Sequence, residues 1–175
     1  MVSTSNNQKI HYEGSAVAWQ GSNRVEAERL DIDRDAGKME AHKNVVSQFV
    51  DKDKDKKADA KASPKPKTTT AAPIFTVVHA PDLVYTEETR IAVYSGGVLL
   101  QRPDLTVTAK EIKAYLNDAD ADSSLNKTEA DGAVKIVSTA RAKVRTGTSE
   151  HSEYYDDEGK VIRSEEHTSE LQSPT

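Results

Sequence analysis

The sequence predicts an all-β fold assembled from short stacked repeats, and three observations carry that reading. Apolar and polar residues alternate over short runs, turn-forming clusters separate the runs, and one motif recurs along the chain at a regular spacing. Alternation of period two marks strands with one buried and one wet face, joined as antiparallel hairpins. A repeat of roughly 20–50 residues marks stacked copies of one supersecondary unit.

A partial unit opens the series, Ile10-x-Tyr12-x-x-Ser15-Ala16-Val17. The first full unit follows as Val25-x-Ala27-x-x-Leu30-x-Ile32, then Met39-x-Ala41-x-x-Asn44-Val45-Val46 beyond a turn at Asp33–Gly37. Glu26, Glu28, Asp31, Glu40 and Lys43 fall on the opposite face. On a helix, Val25, Ala27, Leu30 and Ile32 would scatter instead of forming one stripe. The second unit is Val78-x-Ala80-x-x-Leu83-x-Tyr85, then Ala92-x-Tyr94-x-x-Gly97-Val98-Leu99. The third begins Val107-x-Ala109-x-x-Ile112-x-Ala114 and resumes at Thr128-x-Ala130-x-x-Ala133-Val134 after a longer loop near Asn117–Ser123. A frayed unit, Thr146-x-Thr148-x-x-His151, closes the series and assigns His151 to the column of Leu30 and Leu83. With the insertions set aside the period is 29 residues, and about four to five copies exceed coincidence.

Two segments stand apart. Residues 51–73 hold seven Lys, four Asp and no branched aliphatic or aromatic residue, so a disordered insertion is expected there. Ordering such a stretch costs about 1–2 kcal/mol per residue with no burial to offset it. Residues 163–175 resemble the translation of an adapter oligonucleotide and are set aside from the fold, leaving one domain over 1–162. The opening residues Met1–Asn7 lack the basic and apolar regions of a signal peptide. Either a cytoplasmic protein or a piece of a longer chain would start this way.

Hydrophobic residues are 35% of the 175, below the usual share for a globular domain even with the insertion set aside. The formal charge of −5, and −8 without the insertion, disfavours nucleic acid as partner. Cys is absent, which excludes disulfides and thiolate metal sites. No run reaches the roughly 18 apolar residues of a membrane helix. The alanines at 27, 80, 109 and 130 admit two explanations: close packing of opposed sheets, or room left for a guest. Close packing is the usual explanation; with nine aromatics a self-filled sandwich is harder to build, which adds some weight to the second.

Tyr12-Glu-Gly14-Ser-Ala16-Val17-x-x-Gln20-Gly21, followed by Val25-Glu-Ala27-Glu-Arg-Leu30-Asp-Ile32-Asp33, resembles the repeat of the LptA/OstA-like proteins of lipopolysaccharide export. Tyr94-Ser-Gly96-Gly97-Val98, and Gly147 to Tyr154 with Gly159-Lys160-Val161, are similar to the later copies. The likeness spans about residues 9–162 outside the insertion and rests on repetition, not on a catalytic signature. It implies an open, twisted antiparallel β-jellyroll with a hydrophobic groove, in the periplasm. It also implies a role in shielding lipid A acyl chains, head-to-tail self-association, and OstA-fold partners at the inner and outer membrane. Inward residues expected to line the groove are Val25, Ala27, Leu30, Ile32, Val45, Leu83, Val98, Leu100, Val107, Ile112, Val134 and Ile136. Their contribution would be hydrophobic contact alone, at about 0.8 kcal/mol per buried CH₂.

Other signals are weaker. Asp118, Asp120, Asp122, Ser124, Asn126 and Glu129 match the oxygen positions of a calcium loop, but Ser123 stands where glycine makes the turn. A solvated acidic turn is the expected reading, with no metal and no cofactor. The histidines have no metal-ligand spacing, and no Ser lies in a nucleophile motif, so a non-enzymatic protein is expected. His42 and His79 fall on the polar side, and Trp19 reads as a packing or edge residue. The alternative function is a structural β-repeat scaffold acting by strand addition at its edges. A calcium-stabilised module is a weaker third.

Overall fold

Ten antiparallel strands follow one another as neighbours in a single meandering sheet. A computed structural model describes residues 2–4, 8–20, 23–51, 74–117, 125–139, 144–155 and 160–164. The strands are β1 (Val2–Thr4), β2 (Lys9–Gln20), β3 (Asn23–Asp33), β4 (Lys38–Asp51), β5 (Ile74–Thr86), β6 (Ile91–Arg102), β7 (Leu105–Leu116), β8 (Leu125–Ser138), β9 (Arg145–Tyr155) and β10 (Lys160–Ser164). No described residue is helical. Among the described residues the sheet does not close, because β1 and β10 pair there only with β2 and β9. The fold is therefore all-β and open, in the manner of a jellyroll. Residues 52–73 and 165–175, most of the insertion and tail singled out above, lie outside the described residues.

The repeat columns become cross-strand ladders. One runs Tyr12, Leu30, Ala41, Leu83, Tyr94, Ile112, Ala130, Ser152 from β2 to β9. A second runs Ala18, Val25, Ser47, Val78, Leu100, Val107, Ile136, Gly147. Leu30, Leu83, Tyr94, Ile112 and Val78 are all but sealed from solvent. Burying each aliphatic side chain stabilises the fold by about 1.5–3 kcal/mol. Cross-strand neighbours of this kind set the register, since a slip of one residue turns the apolar face outward.

Between the two ladders every long strand pair breaks register. Strands β2, β4, β6 and β8 each carry two consecutive residues in the left-handed region there: Gly14 and Ser15, Lys43 and Asn44, Gly96 and Gly97, Gly132 and Ala133. These are bulges, which bend a strand and sharpen its twist. They account for the doubled x-x in the repeat motif, where strict alternation fails. Aligned across the sheet, they form a crease that divides it into two arms. Ala27, Ala80 and Ala109 sit at this crease, buried, with the buried Val45 and Val98 across from Ala80 and Ala109.

The arms fold onto one another. Arg102 shares its row with Leu105, Ser138 and Arg145, and Tyr154 lies nine residues beyond Arg145 on β9. On a straight strand that separation is about 30 Å. Yet Arg102 donates to the Tyr154 hydroxyl at 3.4 Å.

The closing strand departs from the sequence alignment. Ser152, not His151, pairs with Ala130 and continues the Leu30–Leu83 column. His151 pairs with Asp131 on the polar face, half-buried. The frayed unit is out of phase by one residue. Its Thr146, Thr148 and His151 point outward, while Gly147, Ser149 and Ser152 take the inward places. Cross-strand pairing with β8 overrides the weak apolar pattern of β9.

Candidate ligand groove

Between the folded arms lies a half-open cavity of about 590 Å³ at the β2–β7 end of the molecule. One arm lines it with Ala18, Trp19, Val25 and Phe49. The other contributes Ile32, Met39, Leu83, Tyr85, Ala92, Tyr94 and Leu116. Asn23, Asp33, Arg34, Lys38 and Glu87 stand at its margins. Two alanines among bulky neighbours, Ala18 and Ala92, leave part of this space vacant. The volume falls within the roughly 300–1,000 Å³ of small-ligand sites, which are mostly apolar with a few polar groups.

All twelve predicted lining residues lie on the inward face, but they separate into two sets. Val25, Ile32 and Leu83 border the cavity. Ala27, Leu30, Val45, Val98, Leu100, Val107, Ile112, Val134 and Ile136 are buried in the continuous core, packed on protein atoms. The division follows closure of the arms. On the β6–β9 side Arg102 reaches Tyr154, hydrogen-bonded and with its guanidinium 5.8 Å from the ring centroid. Leu116, at the end of β7, borders the cavity as well, and so do Met39, Tyr85 and Ala92, which the repeat holds in the column of Ile32 but which were not among the expected lining residues. Column membership was the signal that could have found those three.

Tyr94 is the largest fully buried side chain. Burial pushes its phenol well above the usual range, and the nearby Ser47 hydroxyl offsets only part of this. Neither hydroxyl has a hydrogen bond of acceptable geometry.

The outward face mixes apolar residues such as Val46, Val84, Val93 and Leu99 with charged groups, many of them paired with one another. Three histidines each place Nδ1 on the Asp directly across the ladder: His11 on Asp31 at 2.5 Å, His42 on Asp82 at 2.7 Å, and His151 on Asp131 at 2.6 Å. A shallow trough over β2–β4 holds Lys9, His11, Arg29 and Lys38, and each has a carboxylate partner. His79 is exposed, beside Leu99 across the ladder. Lys127 lies between the rings of Tyr115 and Tyr155 and bonds Glu129 at 2.7 Å and Glu153 at 3.0 Å. These bonds hold its ammonium above the usual lysine range. Glu129 is thus committed to Lys127 and to the Tyr115 hydroxyl. Asp118, Asp120 and Asp122, the other carboxylates of the calcium-like loop, lie outside the described residues.

Comparison with protein-family models, with curated proteins and with solved structures finds no match for this chain.

Proposed function

We propose that the protein is a non-enzymatic lipopolysaccharide-binding transport protein. It shields acyl chains of lipid A in its interior during transit across the periplasm to the outer membrane. The observation that carries this reading is the vacant, largely apolar volume between two arms of an unclosed sheet. Each methylene moved from water into such a space is worth about 0.8 kcal/mol, so an acyl chain gains there without any reacting group. The repeat motif supports the same family of functions, with head-to-tail copies and OstA-fold partners adding strands at the free edges. Several chains exceed the present volume, and their entry requires the arms to part on the Arg102–Tyr154 side.

The test is retention of lipopolysaccharide, or of a fluorescent fatty-acyl probe, by the purified full chain. Ile32→Asp and Met39→Asp place a charge in the cavity wall at half-buried positions and should abolish retention while the sheet remains folded. Leu99→Asp, on the opposite face, should leave it intact. If the folded wild type retains neither probe, acyl binding is refuted. The scaffold reading, favoured by the nine groove candidates packed in the core, then takes its place.

A further inference from the structure

Among the described residues, three hydroxyls interrupt the apolar interior without a hydrogen bond of good geometry: Tyr94 Oη, Ser47 Oγ and Thr128 Oγ1. Their residues are 0%, 0% and 5% exposed. A buried, unpartnered hydroxyl costs free energy that a methyl or hydrogen in its place would not. Such groups in a native interior call for an explanation, and a missing ligand contact is one. Tyr94 borders the cavity, beside its cross-strand partner Leu83, whereas Thr128 and Ser47 do not; Ser47 lies behind it, against the Tyr94 hydroxyl.

Tyr94 and Ser47 are also placed across the fold from one another. Tyr94 belongs to the ladder on one side of the crease and Ser47 to the ladder on the other. Their hydroxyls meet only because the arms close, and they meet in poor geometry. Parting the arms to admit a guest separates this pair and opens both hydroxyls toward the vacated space.

We propose that Tyr94 and Ser47 determine the specificity of the groove by hydrogen-bonding an oxygen carried by the acyl guest, either a hydroxyl on the chain or an ester carbonyl. The Tyr94 O–H donates to that oxygen, and Ser47 donates to it or accepts from a guest hydroxyl. A plain hydrocarbon chain leaves both unpaired, and a site built around a hydrogen bond disfavours the analogue that lacks the group. This inference rests on the acyl-binding function proposed above and adds the chemical feature by which one chain is chosen over another.

The experiment is competition against a fluorescent fatty-acyl probe on the full chain. Three competitors of equal chain length are used: an unsubstituted fatty acid, its 3-hydroxy derivative, and its monoacylglycerol ester. Wild type should be displaced at about five- to tenfold lower concentration by one or both oxygen-bearing competitors. The two arms tell a chain hydroxyl from an ester. Tyr94→Phe deletes one unpaired atom and should erase the preference, so that all three competitors displace the probe at the same concentration. Ser47→Ala should reduce the preference in the same direction. Equal displacement of wild type by all three competitors overturns this inference and leaves acyl binding standing. Undiminished preference in Tyr94→Phe also overturns it. Failure of wild type to hold any probe overturns both.

Discussion

Arg102 on β6 donates to the hydroxyl of Tyr154 on β9, although β7 and β8 stand between them in the sheet. The contact joins the outer ends of the two arms, each beyond its ladder from the crease, and closes the interior on that side. It is also polar and modest. A cation–π contact at a partly exposed site is worth about 0.5–1 kcal/mol, and a long hydrogen bond adds little. A closure of this strength suits an interior that must open.

Removal of that contact gives the first prediction. Arg102→Ala should lower stability by about 1 kcal/mol, through the lost ring contact and stem packing. It should also increase acyl-probe uptake, because closed arms compete with the guest. Urea denaturation and probe titration on the same preparation check both effects. Stability lost with no gain in uptake would assign the pair to the scaffold alone.

The crease supplies the second. Gly96 has φ +91°, and a Cβ there would lie 2.9 Å from Cγ of Pro81 on β5. Its neighbour Gly97 has φ +99° with open space around it. Left-handed backbone costs a side-chain-bearing residue on the order of 1–3 kcal/mol. Gly97→Ala should therefore destabilise within that range, and Gly96→Ala by more, since steric overlap adds to strain. Denaturant midpoints for the two variants decide the order, and equal losses would remove the Pro81 contact as a cause.

Histidine 151 supplies the third. Its bond to Asp131, with Glu153 nearby at 3.7 Å, holds the imidazolium above the ordinary histidine value against a smaller opposing effect of burial. The fold favours the protonated form, so this contribution is present in full below about pH 6.5. It is lost as pH rises through the higher folded value. Glu153 carries the opposite sign: Lys127 and Tyr155 hold it below the usual carboxylate range. Its contribution is lost as pH falls. Melting temperatures from mildly acidic to mildly basic pH should decline on the basic side in wild type and decline less in His151→Gln. Parallel curves would show that His151 does not set that limb.

Much of the fold was legible before any coordinates. Alternation at Val25, Ala27, Leu30 and Ile32 requires a half-buried strand, because a side-chain period of two suits no other regular structure. Copying that pattern requires stacked hairpins, and the ladders reproduce its columns through β8. Where the pattern thins, in Thr146-x-Thr148-x-x-His151, the register could not be read, since polar residues carry no preference for the inward face. Pairing with β8 decided it.

What lay outside the reach of pattern was depth. A column assigns a side chain to the inner face but not to a packed wall or a vacant one. That depends on how far the sheet folds at its crease and where its arms meet. Val25 and Val107 occupy one ladder, yet Val25 borders the cavity and Val107 is packed in the core. The doubled x-x marked the crease in the sequence, but the closing contact joins residues 52 positions apart. Contacts between sequence-distant side chains are set by the geometry of the bend, which no local period encodes.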